Sequence, residues 1–371
     1  MKASVLLSSF ILLSTISYTA PQQADIIYGS DDRKEIYEVN KQYQHLASSL
    51  AGRVDLRNMK DNSDGTYDIR RFMTLGHPQG NNMCAEERFR EQPMIADCTG
   101  FLVGENLLVT AGHCMSLGTP GPAENEVTSA CANYAWVFDY HVKSDGSIKT
   151  KNIAKSKVYK CKKVIYSTVN QLRDPETGEV KRDPRTGQPI PFDDYALIEL
   201  DRKVEGREAL VIAEKSDDLV GDQIFTMGHP TGLPLKFLAN SKIKRNPKDL
   251  PYFLTNLDTF GGNSGSPVFN LITNEVIGIL VRGSKDYVQV QKPDGTVCTK
   301  VFRCNEEGDR CMIDTGMENA EGVSKISRVL PHLKKHQEKS VMESFAGLVD
   351  KGNSSFSNFK TLSQLISFPN K

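Results

Sequence analysis

The chain has 371 residues, 39% hydrophobic and 25% charged, a globular composition that excludes a collagen-like repeat or a disordered chain. Lys plus Arg and Asp plus Glu both number 46, so the formal net charge is zero, which argues against nucleic acid or an anionic membrane as partner. The length suits two or three core-forming units.

Residues 1–20 read as a secretory signal peptide. Lys2 supplies a positive start, and Val5, Leu6, Leu7, Phe10, Ile11, Leu12 and Leu13 form an apolar centre too short to span a bilayer. No later segment is apolar enough to cross a membrane, so the expected mature protein is soluble and secreted or periplasmic. The eight cysteines, an even count behind a signal, predict disulfides rather than a metal knuckle. Residues 21–65 are polar, with helical spacing from Ile36 to Leu50.

From about residue 66 short apolar runs alternate with Gly, Pro, Asn and Asp. Predicted strands lie at Phe101, Leu107, Ala135, Val158 to Ile165, Ala196, Gln223 to Met227, Tyr252 to Leu254, Pro267 and Glu275 to Val281. So many short strands argue for barrels or sandwiches. Residues 172–193, with two Asp-Pro and Thr-Gly pairs, read as a surface excursion. Gly76-His-Pro-Gln-Gly and Gly228-His-Pro-Thr-Gly read as two similar turns rather than a metal pair. Near the end, Ile326, Val329, Leu330 and Leu333 have helical spacing, with Pro331 at the start or at a kink.

Three segments carry chemistry. In Leu108-Val-Thr-Ala-Gly-His113-Cys a strand ends in small residues and presents an imidazole. In Phe192-Asp-Asp194-Tyr-Ala-Leu a carboxylate stands at the mouth of a strand. In Phe260-Gly-Gly262-Asn-Ser264-Gly-Ser-Pro a serine sits among glycines. A serine hydroxyl becomes a nucleophile only when an imidazole takes its proton. A buried carboxylate holds that imidazole in one tautomer and stabilises its charge. The glycines let backbone N–H groups, those of Gly262 and Ser264, turn toward a developing oxyanion. The order His113, Asp194, Ser264 is that of the chymotrypsin arrangement and not of subtilisin or the α/β-hydrolases.

Thr-Ala-Gly-His113-Cys114 resembles the corresponding segment of chymotrypsin-like serine peptidases. Gly262-Asn-Ser264-Gly-Ser-Pro-Val-Phe-Asn, with Glu275-Val-Ile-Gly-Ile, resembles the secreted bacterial branch of V8 and other glutamyl endopeptidases. Ile26-Ile-Tyr-Gly-Ser-Asp-Asp-Arg33 resembles the mature N-terminus of that branch. The resemblance implies an all-β fold: a double six-stranded antiparallel β-barrel with a short C-terminal helix and the active site between the barrels. It divides the chain into an N-terminal extension at 21–65, in part a pro-segment, a first barrel at 66–204 and a second at 205–325. A C-terminal helix and tail follow at 326–371. It also implies a Cys98–Cys114 bridge. Cys131 and Cys161 flank strands of one barrel and form the second expected pair. Cys84, Cys298, Cys304 and Cys311 are unassigned.

The chain departs from the pancreatic enzymes at Asn263, where an Asp would pair with a freed N-terminal amine. Asp258 falls where trypsin-like enzymes bind Arg or Lys, and Thr259 where V8-like enzymes contact glutamate. Leu280 replaces a V8-like His, and Arg282 is a further source of positive charge. The expectation is an endopeptidase acting on proteins or peptides as a monomer, cleaving after basic residues through Asp258. Acidic specificity through Thr259 and Arg282 is the alternative. No cofactor or metal is expected. A second reading is a binding protein on an inactive peptidase scaffold, which loss of a triad member or glycine would signal. An ester or lipid hydrolase would need a Gly-x-Ser-x-Gly elbow, which is absent. Asn353-Ser-Ser is a glycosylation sequon.

Overall fold

A computed structural model describes residues 27–116, 122–174, 176–182, 191–215, 218–283, 286–312 and 319–350. The expected signal peptide, Ile26, residues 183–190 of the expected excursion and Asn353 lie outside the described residues.

The first barrel contains β1 (Leu50–Asp55), β2 (Cys98–Leu102), β3 (Leu107–Thr110), β4 (Tyr134–Phe138), β5 (Val158–Gln171) and β6 (Pro191–Leu200). The second contains β7 (Gln223–Gly228), β8 (Lys236–Arg245), β9 (Tyr252–Thr255), β10 (Pro267–Asn270), β11 (Val276–Arg282) and β12 (Glu321–Lys325). The hydrogen-bonded order around the first is β1-β2-β3-β6-β5-β4, closing on β1, and around the second β7-β8-β9-β12-β11-β10, closing on β7. The two orders are the same, so one antiparallel plan is used twice. Closure leaves neither barrel an unpaired edge. This is the chymotrypsin-like fold.

Alternation along the strands gives each barrel an interior and leaves a third apolar cluster between them. Ala196, Ile198 and Leu200 of β6 face the inside of the first barrel with Trp136 and Phe138. Phe253, Val268, Ile277 and Val323 fill the second. Tyr195 and Leu197 point the other way, into an interface with Phe101, Val109, Phe225, Phe269 and Ile279. Phe225 stacks on Phe269 at 4.6 Å, and Tyr43 meets its edge at 4.9 Å.

Helix α1 (Lys41–Ala47), capped by the Asn40 side chain on Tyr43 N–H, brings Tyr43 to this interface. The first barrel begins at Leu50 rather than residue 66, because β1 lies between β2 and β4 in the closed sheet. The segment before it is therefore not a detached extension: Lys34–Glu35 adds a strand to β8, with Glu35 opposite Lys236. Helix α2 (Gly112–Ser116) follows β3, and α3 (Ser129–Asn133) precedes β4. Helix α4 (Leu330–Asp350) begins beside Pro331, whose missing N–H costs nothing in a first turn. Cysteines pair as Cys98–Cys114, Cys131–Cys161, Cys84–Cys298 and Cys304–Cys311. Among the described helices none is long and apolar enough to cross a membrane.

Because Phe225 holds the shared interface together, Phe225→Ala should lower unfolding stability by about 3–5 kcal/mol, the usual cost of emptying a buried aromatic site. Urea denaturation checks this, and a loss below about 1 kcal/mol would mean that the barrels do not depend on this contact.

Candidate active site

His113 sits in the first turn after β3. A Cβ at Gly112 would lie 2.0 Å from the Thr168 carbonyl oxygen, so only glycine lets this turn press against β5. That approach sets His113 beside β6. Asp194 accepts twice from it: the backbone N–H donates to Oδ1 at 3.0 Å, and Nδ1 lies 2.8 Å from Oδ2. An ionised carboxylate only accepts, so the proton is on Nδ1 and Nε2 is left as the base of the neutral ring. Burial pulls the His113 pKa down, but Asp194 outweighs it by charge and hydrogen bond and holds the pKa above the ordinary 6.5.

The neighbour Asp193 points to the opposite face of β6. Arg328 clamps it with two bonds of 2.7 and 2.8 Å, and its N–H donates to Asn170 Oδ1. The Asp194 backbone oxygen accepts from the Ser324 hydroxyl at 3.0 Å, tying β6 to β12 of the second barrel.

Ser264 lies on the tight turn between β9 and β10. Thr99 N–H donates to the Ser264 carbonyl at 2.8 Å, and Thr99 Oγ1 donates to the Gly262 carbonyl at 3.0 Å. Gly265 N–H donates to the Leu280 oxygen, so the turn is held from both barrels. Gly265 has φ +88°, and a Cβ there would lie 2.1 Å from the Thr99 oxygen. Gly262 has φ +97°, a conformation that favours glycine. Among the described residues, neither the Gly262 nor the Ser264 N–H donates to a backbone carbonyl. Asn263 is fully buried, and neither of its side-chain polar atoms has a partner among the described residues.

The specificity candidates separate. Asp258 is buried, and its Oδ1 accepts the Tyr28 N–H at 2.7 Å. It borders a cavity of about 340 Å³ lined by Tyr28, Asp32, Lys242, Asn256 and Glu306, which contains none of the three chemistry-bearing segments. Burial pushes its pKa up to about 8. The Asp258 carboxylate thus bonds the N-terminal strand Ile27–Tyr28. Thr259 is fully buried, and its hydroxyl donates to Glu321 Oε2 at 2.5 Å. Glu321, on β12, is fully buried too and was missed in the sequence. A lone acid in the polar Ala320-Glu-Gly run signals nothing until β12 pairs with β9. Arg282, at the end of β11, crosses Gly322 and lies over the Tyr252 ring at 4.4 Å.

The one cluster of metal-type ligands among the described residues is Cys98, His113 and Cys114. Both sulfurs are joined in a disulfide and offer no thiolate, and His113 Nδ1 is engaged by Asp194.

Residues 98–279 match the trypsin-like peptidase domain family. No curated protein matches in sequence. Among solved structures the chain is similar to a Glu endopeptidase in complex with MPD, at 15% identity and TM-score 0.40, covering 84% of this chain and 99% of that one. It is similar also to the VesB protease of Vibrio cholerae, at 14% and 0.41, over 84% and 68% of the two chains. A third is Rv3671c of M. tuberculosis H37Rv in an inactive mutant form, at 12% and 0.36, over 84% and 96%. The match to the trypsin-like peptidase domain thus spans both barrels, from Cys98 on β2 to Ile279 on β11.

An NMR titration of the His113 ring should give a midpoint above 6.5, the reference value. Asp194→Asn should lower it, whereas Asp193→Asn should leave it within a few tenths of a unit. A lowered midpoint in Asp193→Asn alone would reverse the assignment. Because folding favours the protonated ring, its stabilising contribution is complete below the unfolded value and disappears as pH rises through the folded one.

Proposed function

We propose that this chain is a secreted serine endopeptidase with Ser264 as nucleophile, His113 as general base and acid, and Asp194 as the group that orients His113. The observation that supports it most is the His113 ring, held through Nδ1 by Asp194 on a turn whose neighbouring strand bonds the Ser264 loop. His113 Nε2 takes the Ser264 proton as Oγ bonds to the substrate carbonyl carbon. The resulting oxyanion accepts from the Gly262 and Ser264 N–H groups. The C–N bond then breaks, and the leaving amine takes the proton from His113. Water repeats the sequence on the acyl-enzyme and frees the acid. The signal sequence and four disulfides support an oxidising extracellular or periplasmic compartment.

Cleavage after Arg or Lys is the proposed preference, carried by Glu321 instead of Asp258. Its carboxyl group is the buried acid bonded to Thr259, five residues before the proposed nucleophile. A charge-assisted hydrogen bond to a basic side chain would favour such substrates. Arg282 beside Gly322 supports the acidic reading as second.

Ser264→Ala and His113→Ala should each reduce turnover by about a millionfold while leaving the fold intact, the size of loss such residues show as a unit. Fluorophosphonate labelling of wild type but not of Ser264→Ala would agree. Near-wild-type casein cleavage by either variant would refute the assignment, and an unlabelled wild type would favour the inactive scaffold.

For specificity, a peptide library should be cut after Arg and Lys, with kcat/KM falling about a hundredfold in Glu321→Gln, since hydrogen bonds to charged groups are worth that order. Asp258→Asn should leave the preference unchanged. Cleavage after Glu or Asp that is lost in Arg282→Ala would transfer the pocket charge to Arg282.

A further inference from the structure

After β11 the chain runs into an arm in which Tyr287–Gln291 pairs with Val297–Val301. The arm is fastened outside the second barrel. Cys298 is bonded to Cys84, Cys84 N–H donates to the Thr299 oxygen, and Thr299 N–H donates to the Asn82 oxygen. Its first residues return to the loop before Ser264. Asp286 Oδ2 accepts the Gly261 N–H at 3.2 Å. The Tyr287 hydroxyl is hydrogen-bonded to Thr231 Oγ1, and its ring lies 5.6 Å from that of Phe260. Thr231 in turn donates its backbone N–H to the Gly261 carbonyl at 2.5 Å.

These bonds hold two successive peptide units: Asp286 takes the N–H of Phe260–Gly261, and Thr231 donates to the carbonyl of Gly261–Gly262. The Gly261–Gly262 peptide is trans, so its C=O and N–H point in opposite directions. With the Gly261 oxygen turned to Thr231, the Gly262 N–H faces away from that turn. Glycine on both sides offers little resistance to a rotation of the whole unit, which would put an oxygen where the N–H now stands. The unit is therefore oriented by its bonds rather than by side-chain sterics. Thr231 itself has φ +52°, an unfavourable conformation for a β-branched residue, and so needs an anchor such as Tyr287.

We propose that Asp286 and Tyr287 are positioning residues that hold the Gly261–Gly262 peptide with its N–H presented to the oxyanion. The proposal rests on the peptidase reading above and adds the arm to its machinery. Asp286 acts through Gly261, and Tyr287 through Thr231. The arm is also joined to the N-terminal strand: Phe302 N–H donates to the Asp286 oxygen, and Ile27 N–H donates to the Phe302 oxygen.

The experiment compares wild type with Asp286→Ala, Asp286→Asn and Tyr287→Phe. A peptide aldehyde serves as probe, because its carbonyl carbon bonds to Ser264 Oγ and its oxygen takes the oxyanion position. Asp286→Ala should lower kcat about tenfold with KM within twofold, a part of the loss that follows removal of an oxyanion donor. Aldehyde affinity should fall by the same factor, whereas a non-covalent product peptide should bind unchanged. Asp286→Asn, whose amide oxygen still accepts, should recover most of the loss, and Tyr287→Phe should lose about threefold through the missing hydroxyl. Amide exchange at Gly261 should quicken in Asp286→Ala, which is read without turnover and confirms a folded variant. Unchanged Gly261 exchange, unchanged aldehyde affinity, or a loss confined to KM would each overturn the proposal. A wild type that fluorophosphonate does not label would instead overturn the peptidase reading on which it rests.

Discussion

The arrangement depends on Thr99. This single residue of the first barrel bonds two carbonyls of the loop that carries the nucleophile candidate, through its N–H to Ser264 and its hydroxyl to Gly262. Its own oxygen accepts from Thr110 Oγ1, and its Oγ1 accepts from His229 N–H. Thr110 ends β3, and three residues later comes His113. The Cys98–Cys114 bridge closes the same loop from the other side. The separation of His113 from Ser264 is thus set by one polar residue buried where the barrels meet. An apolar residue there would leave the Gly262 carbonyl without that donor at a buried contact, a cost of about 1–3 kcal/mol.

A second constraint comes from charges that cannot be left alone. Lys236 on β8 is fully buried, and burial pulls its pKa down to about 8. It keeps its proton partners through Glu35 Oε2 at 2.9 Å, Gln92 Oε1 at 2.8 Å and the Pro234 oxygen. Arg33, equally buried, bonds Asp31 through two nitrogens and lies over the rings of Phe89 and Phe260. Removing one partner of such a pair strands the other, which costs far more than the pair contributes. The N-terminal segment is therefore held in register against β8 and Phe260, close to the site loop.

The strands legible in the sequence were those whose apolar runs report burial by themselves, such as Ala196 to Leu200 and Val276 to Val281. The strands Leu50–Asp55, Lys236–Arg245 and Glu321–Lys325 were not, because polar residues occupy buried positions in each. Arg53 is bonded to Asp97, Lys236 to Glu35 and Glu321 to Thr259, partners that become neighbours only through pairing. The same limit governed Asp258. Its partner is an amide 230 positions away, and spacing from Ser264 could not disclose it. The three candidate residues stand out in the sequence because their segments carry their own signals: glycines at the turns and a carboxylate entering a buried strand.

Between Asp193 and Asp194 a one-residue step decides which carboxylate meets His113. Side chains on a strand alternate, so Asp193 and Tyr195 share a face and Asp194 has the other. The shared face meets the start of α4 and the turn before it: Arg328 takes both oxygens of Asp193, and His332 lies 3.3 Å from the Tyr195 hydroxyl while stacking on Tyr166 at 3.7 Å. Those contacts resist any rotation of β6 that would exchange the faces. The C-terminal segment thus bears on β6 from the far side: Arg328 and His332 hold Asp193 and Tyr195, and Asp194 faces His113. A slip of one residue would turn Asp194 toward Arg328 and place Asp193 or Tyr195 opposite His113.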